Sequence, residues 1–397
     1  MSTSQTLAAS SPAQLPQAPG FWRGVGVIAG LELQQRRRSR TLWILAAIWF
    51  VIIGVVTGIT WFILSAGASA YSASFDAYPL FSLIVYFVLL FGTLVAPAIS
   101  AGSISSERIG GTLATTQVTL ISTWSILIGK AVAAWATGIA FLIVAAPFVI
   151  LSLALARAEP LQLLTAILAL ILQIGLFTII GVGLSAMISS PLFSIVIAYL
   201  TVAALSLGTL IAFALAVGST TEYVKVEYQA YSKEFHAGLA NCDALRVPET
   251  GEATKESAAC EQKLPTECVT ETTTMSVVHA ERFWWLLALN PYVIVGDMVS
   301  VRADLGTTDD LFGSISYLVR IAQKPTPADS NIWHECGPNS SWQYDDSTNI
   351  SDELEGTVPV WWIGLGLQII IAAGVLWGGY RRLHTPATRL PKGSRIA

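Results

Sequence analysis

The chain has 397 residues, 53% of them apolar and only 12% charged, with a formal net charge of −4. Soluble domains carry about 25% charged residues, so an ordinary soluble enzyme or regulator is excluded and a membrane protein with several spans is indicated. The charge is segregated: residues 219–356 hold 9 Lys/Arg against 22 Asp/Glu, and the remainder holds 13 against 4, the pattern expected when basic flanks stay in the cytoplasm.

In chain order, residues 1–20 are small, polar and Pro/Gln-rich, without the basic start and apolar core of a signal peptide, and predict a disordered tail. Over 21–40, Phe21, Trp22, Val25, Ile28 and Ala29 recur at helical spacing and Arg36, Arg37, Arg38 and Arg40 close the segment. This predicts an amphipathic interfacial helix. Its arginines could meet anionic lipid or RNA, and the simpler reading is a cytoplasmic anchor ahead of the first span. Residues 41–217 then hold five spans, at about 42–64, 79–101, 126–156, 161–187 and 192–217, each long enough for the hydrocarbon core. Pro97 and Pro147 are candidate kinks. Lys130, at one end of the third span, can snorkel to the surface, and Gln173, deep in the fourth, suits a hydrogen bond between helices.

Residues 218–356 form the one sizeable region outside the spans. Val224, Tyr228, Tyr231, Phe235 and Leu239 suggest a helical stripe continuing from the fifth span. All four cysteines, Cys242, Cys260, Cys268 and Cys336, lie here, which predicts two disulfides in an oxidising compartment, with three pairings open. The stretch 281–301 is apolar but interrupted at Asn290-Pro291 and bounded by charge, as a re-entrant or interfacial helix pair would be. Residues 357–397 hold the sixth span, about 358–380, and a basic tail. The expected fold is therefore an all-α polytopic membrane protein. It has six transmembrane helices, an N-terminal amphipathic helix and a large extracytoplasmic insert between spans five and six. An even number of spans puts both termini on one side, the cytoplasmic one, with 218–356 outside.

The chain has no G-x-x-x-x-G-K-[ST] phosphate loop, no H-E-x-x-H and no G-x-S-x-G. Its four histidines are scattered and its spans nearly uncharged, which disfavours a metal centre and a proton- or sodium-coupled carrier.

Between the second and third spans lies SSERIGGTLATTQVTLISTWSILIGK, Ser105 to Lys130. Its Glu107-Arg108 and Gly111-Thr112-Leu113 resemble the coupling helix of the membrane subunit of type-2 ATP-binding-cassette (ABC) exporters, as bacteria use them. Ile109 stands where that family often has a second acid, and Gln117-Val118 where a Thr-Pro pair is common. Asn290-Pro291 before the last span is a further point of resemblance. The resemblance implies a permease with a coupling helix at 105–124, whose Glu107, Arg108, Gly111, Thr112 and Leu113 serve a separate cytoplasmic ABC ATPase. It also implies a second permease subunit, identical or related. The chain itself would need no cofactor and catalyse nothing, ATP and magnesium being bound by the partner. Its setting would be the plasma membrane, its contacts lipid rather than nucleic acid, and its cargo an amphiphile such as a drug, lipid or peptide. The alternative, from another class, is a membrane-anchored receptor or interaction protein with a disulfide-bonded ectodomain.

Overall fold

A computed structural model describes residues 20–70, 77–111, 121–157, 159–245, 254–299, 310–325, 334–336 and 350–383. The expected tail at 1–20, apart from Gly20, lies outside these residues. So do Thr112, Leu113 and the rest of 112–120, and the basic tail from 384. Among the described residues six helices are long and apolar enough to cross a membrane, and the only sheet is a two-stranded hairpin. The chain is an all-α multi-pass membrane protein with one β-hairpin added.

It divides into two compact units, Met1–Ser206 with Trp362–Ala397, and Leu207–Trp361. The first contains α1 (Phe21–Arg38), the first span α2 (Arg40–Ala70), the second α3 (Tyr78–Ser100), the short α4 (Ser105–Ile109), the third span α5 (Thr123–Ala156) and the fourth α6 (Pro160–Met187). It also contains the start of the fifth span, α7 (Pro191–Ala203), and nearly all of the sixth, which runs over Trp361–Leu383. Both Pro97 and Pro147 sit inside helices that continue past them.

The second and fourth spans form the buried centre. Helices in lipid associate by close packing of small residues rather than by hydrophobic burial. Accordingly Ile174 of α6 fits against Gly92 of α3 and Gly138 of α5, and Gly379 of the sixth span lies on Gly183 and Ala186 of α6. Hydroxyls within the spans are satisfied by the preceding helical turn, as when Thr178 donates to the Ile174 carbonyl at 2.6 Å and Thr57 to Ile53 at 2.7 Å. Gln162 accepts a hydrogen bond from the Tyr78 hydroxyl. Gln173 differs from the sequence expectation: it is 1% exposed, and its amide has no hydrogen-bond partner among the described residues.

The second unit begins in the fifth span, where a π-helical turn (Ala204–Gly208) leads into α8 (Thr209–Ser219). There follow β1 (Glu222–Tyr231), α9 (Lys233–Asp243), α10 (Lys255–Glu261), β2 (Cys268–Val277), α11 (Trp284–Ala288), α12 (Pro291–Val299), α13 (Leu311–Ile321) and α14 (Ile350–Glu353). The sixth span, α15 (Trp361–Leu383), then leaves it. The helical stripe expected over 224–239 is corrected in its first part, Val224, Tyr228 and Tyr231, whereas Phe235 and Leu239 lie in the helix α9. Residues 222–231 form a strand, antiparallel to 268–277 with Glu222 opposite Val277 and Tyr231 opposite Cys268. Val224, Val226, Tyr228 and Tyr231 are β-branched or aromatic, and their partner strand is rich in threonine, so both sides suit a pleated ladder. The helical spacing was a coincidence over a few residues, and the pairing partner lies some forty residues away.

The two disulfides pair neighbours in this arrangement. Cys242 of α9 joins Cys260 of α10, with Cα atoms 5.5 Å apart, and Cys268 at the start of β2 joins Cys336 at 6.0 Å. The second holds residues 334–336 beside β1, where Glu335 donates its N–H to the Gln229 carbonyl at 2.8 Å and His334 Nδ1 accepts from the Gln229 N–H at 3.1 Å. An otherwise open strand edge is thereby covered.

Candidate functional site

The site forms where the third span begins. Ser122 caps α5 by accepting from the Ser125 N–H at 3.2 Å. With 34 residues, α5 is about 51 Å long against a hydrocarbon core of about 30 Å. The apolar stripe of α1 packs lengthwise on the first turns of α5. Val25, Ile28 and Ala29 are buried there, and Ser125 Oγ donates to the Phe21 carbonyl at 3.2 Å. Gly129 makes the approach possible: a Cβ on it would stand 2.8 Å from Ile28 Cβ and 3.1 Å from the Val25 carbonyl oxygen.

One turn further along α1, the same face carries Glu32. Opposite it is Lys130, which is 3% exposed rather than snorkelling. Its ammonium lies 2.5 Å from Glu32 Oε1 and 2.7 Å from Glu107 Oε1 of α4. Glu32 also faces Arg36, at 3.8 Å. The Arg36 guanidinium donates to the Ile99 carbonyl at the end of α3 (3.0 Å) and to Thr137 Oγ1 of α5 (3.4 Å). Burial lowers the pKa of Arg36, and Glu32 pushes in the opposite direction. Arg36, Glu32, Lys130 and Glu107 thus alternate in sign and sum to zero, and they tie four chain segments together. A buried ion pair adds little net stability, but removing one partner is costly because it strands the other charge.

Arg108 turns the opposite way from Glu107 and donates to the Ala186 carbonyl at 3.1 Å, at the C-terminal end of α6, where a cation satisfies an orphan helix carbonyl. Beside it, Ser185 Oγ accepts from the N–H groups of Ile104 and Ser105 at 2.9 and 3.0 Å. The five-residue α4 is therefore held to the third span through Glu107 and to the fourth through Arg108 and Ser185. Gly111 follows with φ +70°, a conformation that glycine adopts at little cost.

Of the five motif residues, Glu107 and Arg108 make contacts at this junction, Gly111 follows α4 in the open, and Thr112 and Leu113 lie outside the described residues. Sequence reasoning passed over Glu32, Arg36 and Lys130 as a group. The signal was available in the charge count: four acids lie outside 219–356, and two of them, Glu32 and Glu107, contact the same lysine.

The second unit has its own buried carboxylate. Asn290 Oδ1 accepts from the Tyr292 N–H at 2.9 Å, starting α12, and Asn290 Nδ2 donates to Thr209 Oγ1 of α8 at 3.0 Å. From α12, Asp297 accepts from Ser316 Oγ (2.7 Å), Arg320 Nε (3.0 Å) and the N–H groups of Val360 (2.5 Å) and Trp361 (3.0 Å). An acid from α12 thus caps the N-terminus of the sixth span. Among the described residues, no three His, Cys, Asp or Glu side chains converge as metal ligands.

This arrangement of spans defines a multi-pass membrane protein. The sequence model of the family described as ABC-2 family transporter protein matches residues 27–247, more than half of the chain, and the chain belongs to that family. No protein of curated function matches it.

Proposed function

We propose that the chain is the permease subunit of an ATP-driven exporter, working on a separately encoded cytoplasmic ATPase that binds ATP and magnesium. Two permease subunits, identical or related, pair on two ATPases. Both termini and α4 are cytoplasmic, and 218–356 is extracytoplasmic. The observation that carries the reading is the attachment of α4. An ATPase that displaces the segment 105–124 pulls on the third span through Glu107–Lys130, on α1 through Lys130–Glu32, and on the fourth span through Arg108 and Ser185. Closure of the ATPases on ATP thereby shifts the packing of the spans and opens a path between subunits. The cargo is an amphiphile such as a drug, lipid or peptide, because the spans offer apolar walls and almost no charge. One cavity of about 340 Å³, between the third, fourth and sixth spans, is lined by Trp135 and aliphatic side chains.

The test is affinity purification of the tagged chain from its native membrane, followed by transport and ATPase assays in vesicles. An ABC ATPase is expected to co-purify. Glu107→Lys places two ammonium groups together, and like-charge contacts cost several kcal/mol. The variant should insert normally but lose transport and cargo-stimulated hydrolysis. Purification without any ATPase, combined with ligand binding by the disulfide-bonded region, would establish the receptor reading instead.

A further inference from the structure

A second cavity, of about 480 Å³, lies between the end of α1, the start of α2 and the middle of α5. Its size is within the roughly 300–1,000 Å³ of small-molecule sites. It has two chemically different ends. Arg36, Arg37 and Thr137 line one, and the other runs between α2 and α5 past Ala46, Ala140 and Val144. The alanines leave a slot with aliphatic walls. Trp43 stands in the wall between these ends, 66% exposed, with its indole N–H donating to the Arg37 carbonyl at 3.0 Å. An exposed tryptophan at the start of a span marks headgroup level. From there the slot follows α5 toward the middle of the membrane.

The charge count at the polar end is unequal. Arg36 is consumed by the neutral cluster it forms with Glu32, Lys130 and Glu107. Arg37, in the cavity lining, is exposed and has no carboxylate partner among the described residues. A cationic rim over an apolar slot at headgroup level is complementary to a molecule with an anionic head and a hydrocarbon tail. The surrounding bilayer supplies such molecules at high concentration.

We propose that this cleft is a specific site for an anionic phospholipid, with the phosphodiester on Arg37 and one acyl chain in the slot between α2 and α5. Arginine meets phosphate through a planar fork of donors, and an acyl chain in the slot gains close van der Waals packing rather than removal from water, since the bilayer is already apolar. The bound lipid bridges α1 to the first span. Arg36, in the cleft wall, connects it to the ionic cluster around Lys130. The inference does not depend on ATPase coupling, and it fails or stands separately from it.

Native mass spectrometry of the purified full-length chain tests this, with phosphatidylglycerol and phosphatidylcholine of identical acyl chains added in parallel. Phosphatidylglycerol should be retained at one saturable site per chain in preference to phosphatidylcholine. Arg37→Glu should weaken that retention at least about tenfold, as loss of one charge-assisted contact implies. Arg37 is exposed, so an unchanged Tm will show that the fold is intact. Ala140→Trp, which fills the slot, should weaken it too, while Arg23→Glu, an exposed arginine elsewhere on α1, should leave it unchanged. Inorganic phosphate at millimolar concentration should not displace the lipid. Equal retention of both lipids, wild-type retention by Arg37→Glu, or displacement by phosphate alone overturns the proposal. So does dissociation of a dimer on Ala140→Trp without change in lipid retention, which assigns the slot to a second copy of the chain.

Discussion

The two buried carboxylate centres, Glu107–Lys130–Glu32 in the first unit and Asp297 in the second, are built differently. Asp297 is sealed: its side chain has no exposure, and two of its four donors are backbone N–H groups at the start of the sixth span. Backbone donors cannot change rotamer, so this centre holds one geometry. Around Lys130 the contacts named here are all between side chains, and Glu32 and Glu107 keep 18% and 29% exposure. Long side chains can follow a displacement of a few ångströms without breaking. The first centre suits elements that move against one another, and the second suits elements that stay fixed.

The contrast can be broken hardest at Asp297. Asp297→Ala removes the carboxylate to which the buried Arg320 and two N–H groups donate, a loss of about 3–5 kcal/mol. Thermal unfolding in detergent should show a Tm drop large enough to deplete folded protein, and a variant of wild-type stability would remove the distinction between the two centres. Lys130→Met should cost less, about 1–3 kcal/mol, because both carboxylates retain some water and Glu32 keeps Arg36. In a double-mutant cycle with Glu107→Gln the coupling energy should exceed about 0.5 kcal/mol, as for residues in one network; strict additivity would mean that the two side chains act independently. Gly129→Val tests the same junction without touching charge. Its side chain would enter the space of Ile28 and the Val25 carbonyl, costing about 1–3 kcal/mol as overpacking does, and cysteine cross-linking between α1 and α5 should fall. The smallest effect is expected at the edge of the Asp297 unit. Tyr317 donates to Glu353 Oε2 at 2.6 Å, and that hydrogen bond raises its pKa from 10.0 to about 12. A raised pKa stabilises the fold fully below the unfolded value and is lost as pH rises through the folded one. The Tm difference between wild type and Tyr317→Phe should therefore hold up to about pH 10 and close toward pH 12; a difference independent of pH would mean that the hydrogen bond adds nothing.

The strand at 222–231 and the burial of Lys130 were misread for the same reason. Val224, Tyr228 and Tyr231 satisfy helical spacing and strand propensity alike, and only the threonines of 268–277 across the hairpin settle the choice. Lys130 in isolation is a lysine near the end of a span, for which snorkelling is the reasonable default. It is buried because α1 and α4 both deliver an acid to it. Gln173 is the reverse case, a polar residue for which a partner was expected and none is found among the described residues.

What the sequence determined by itself was everything set by local composition and length. The six spans follow from runs of apolar residues matched to the bilayer, and the broken helix at Asn290-Pro291 from a residue pair that interrupts any span. The tertiary structure alone decided which distant groups meet: Cys242 with Cys260 and Cys268 with Cys336, β1 with β2, Asp297 with the first N–H groups of the sixth span, and Glu32 and Glu107 with Lys130. Hydrophobic length is a property of each segment, and water and lipid impose it on each segment separately. A charge or a thiol has no preferred partner until packing brings one within a few ångströms, so pairing is a property of the assembled fold.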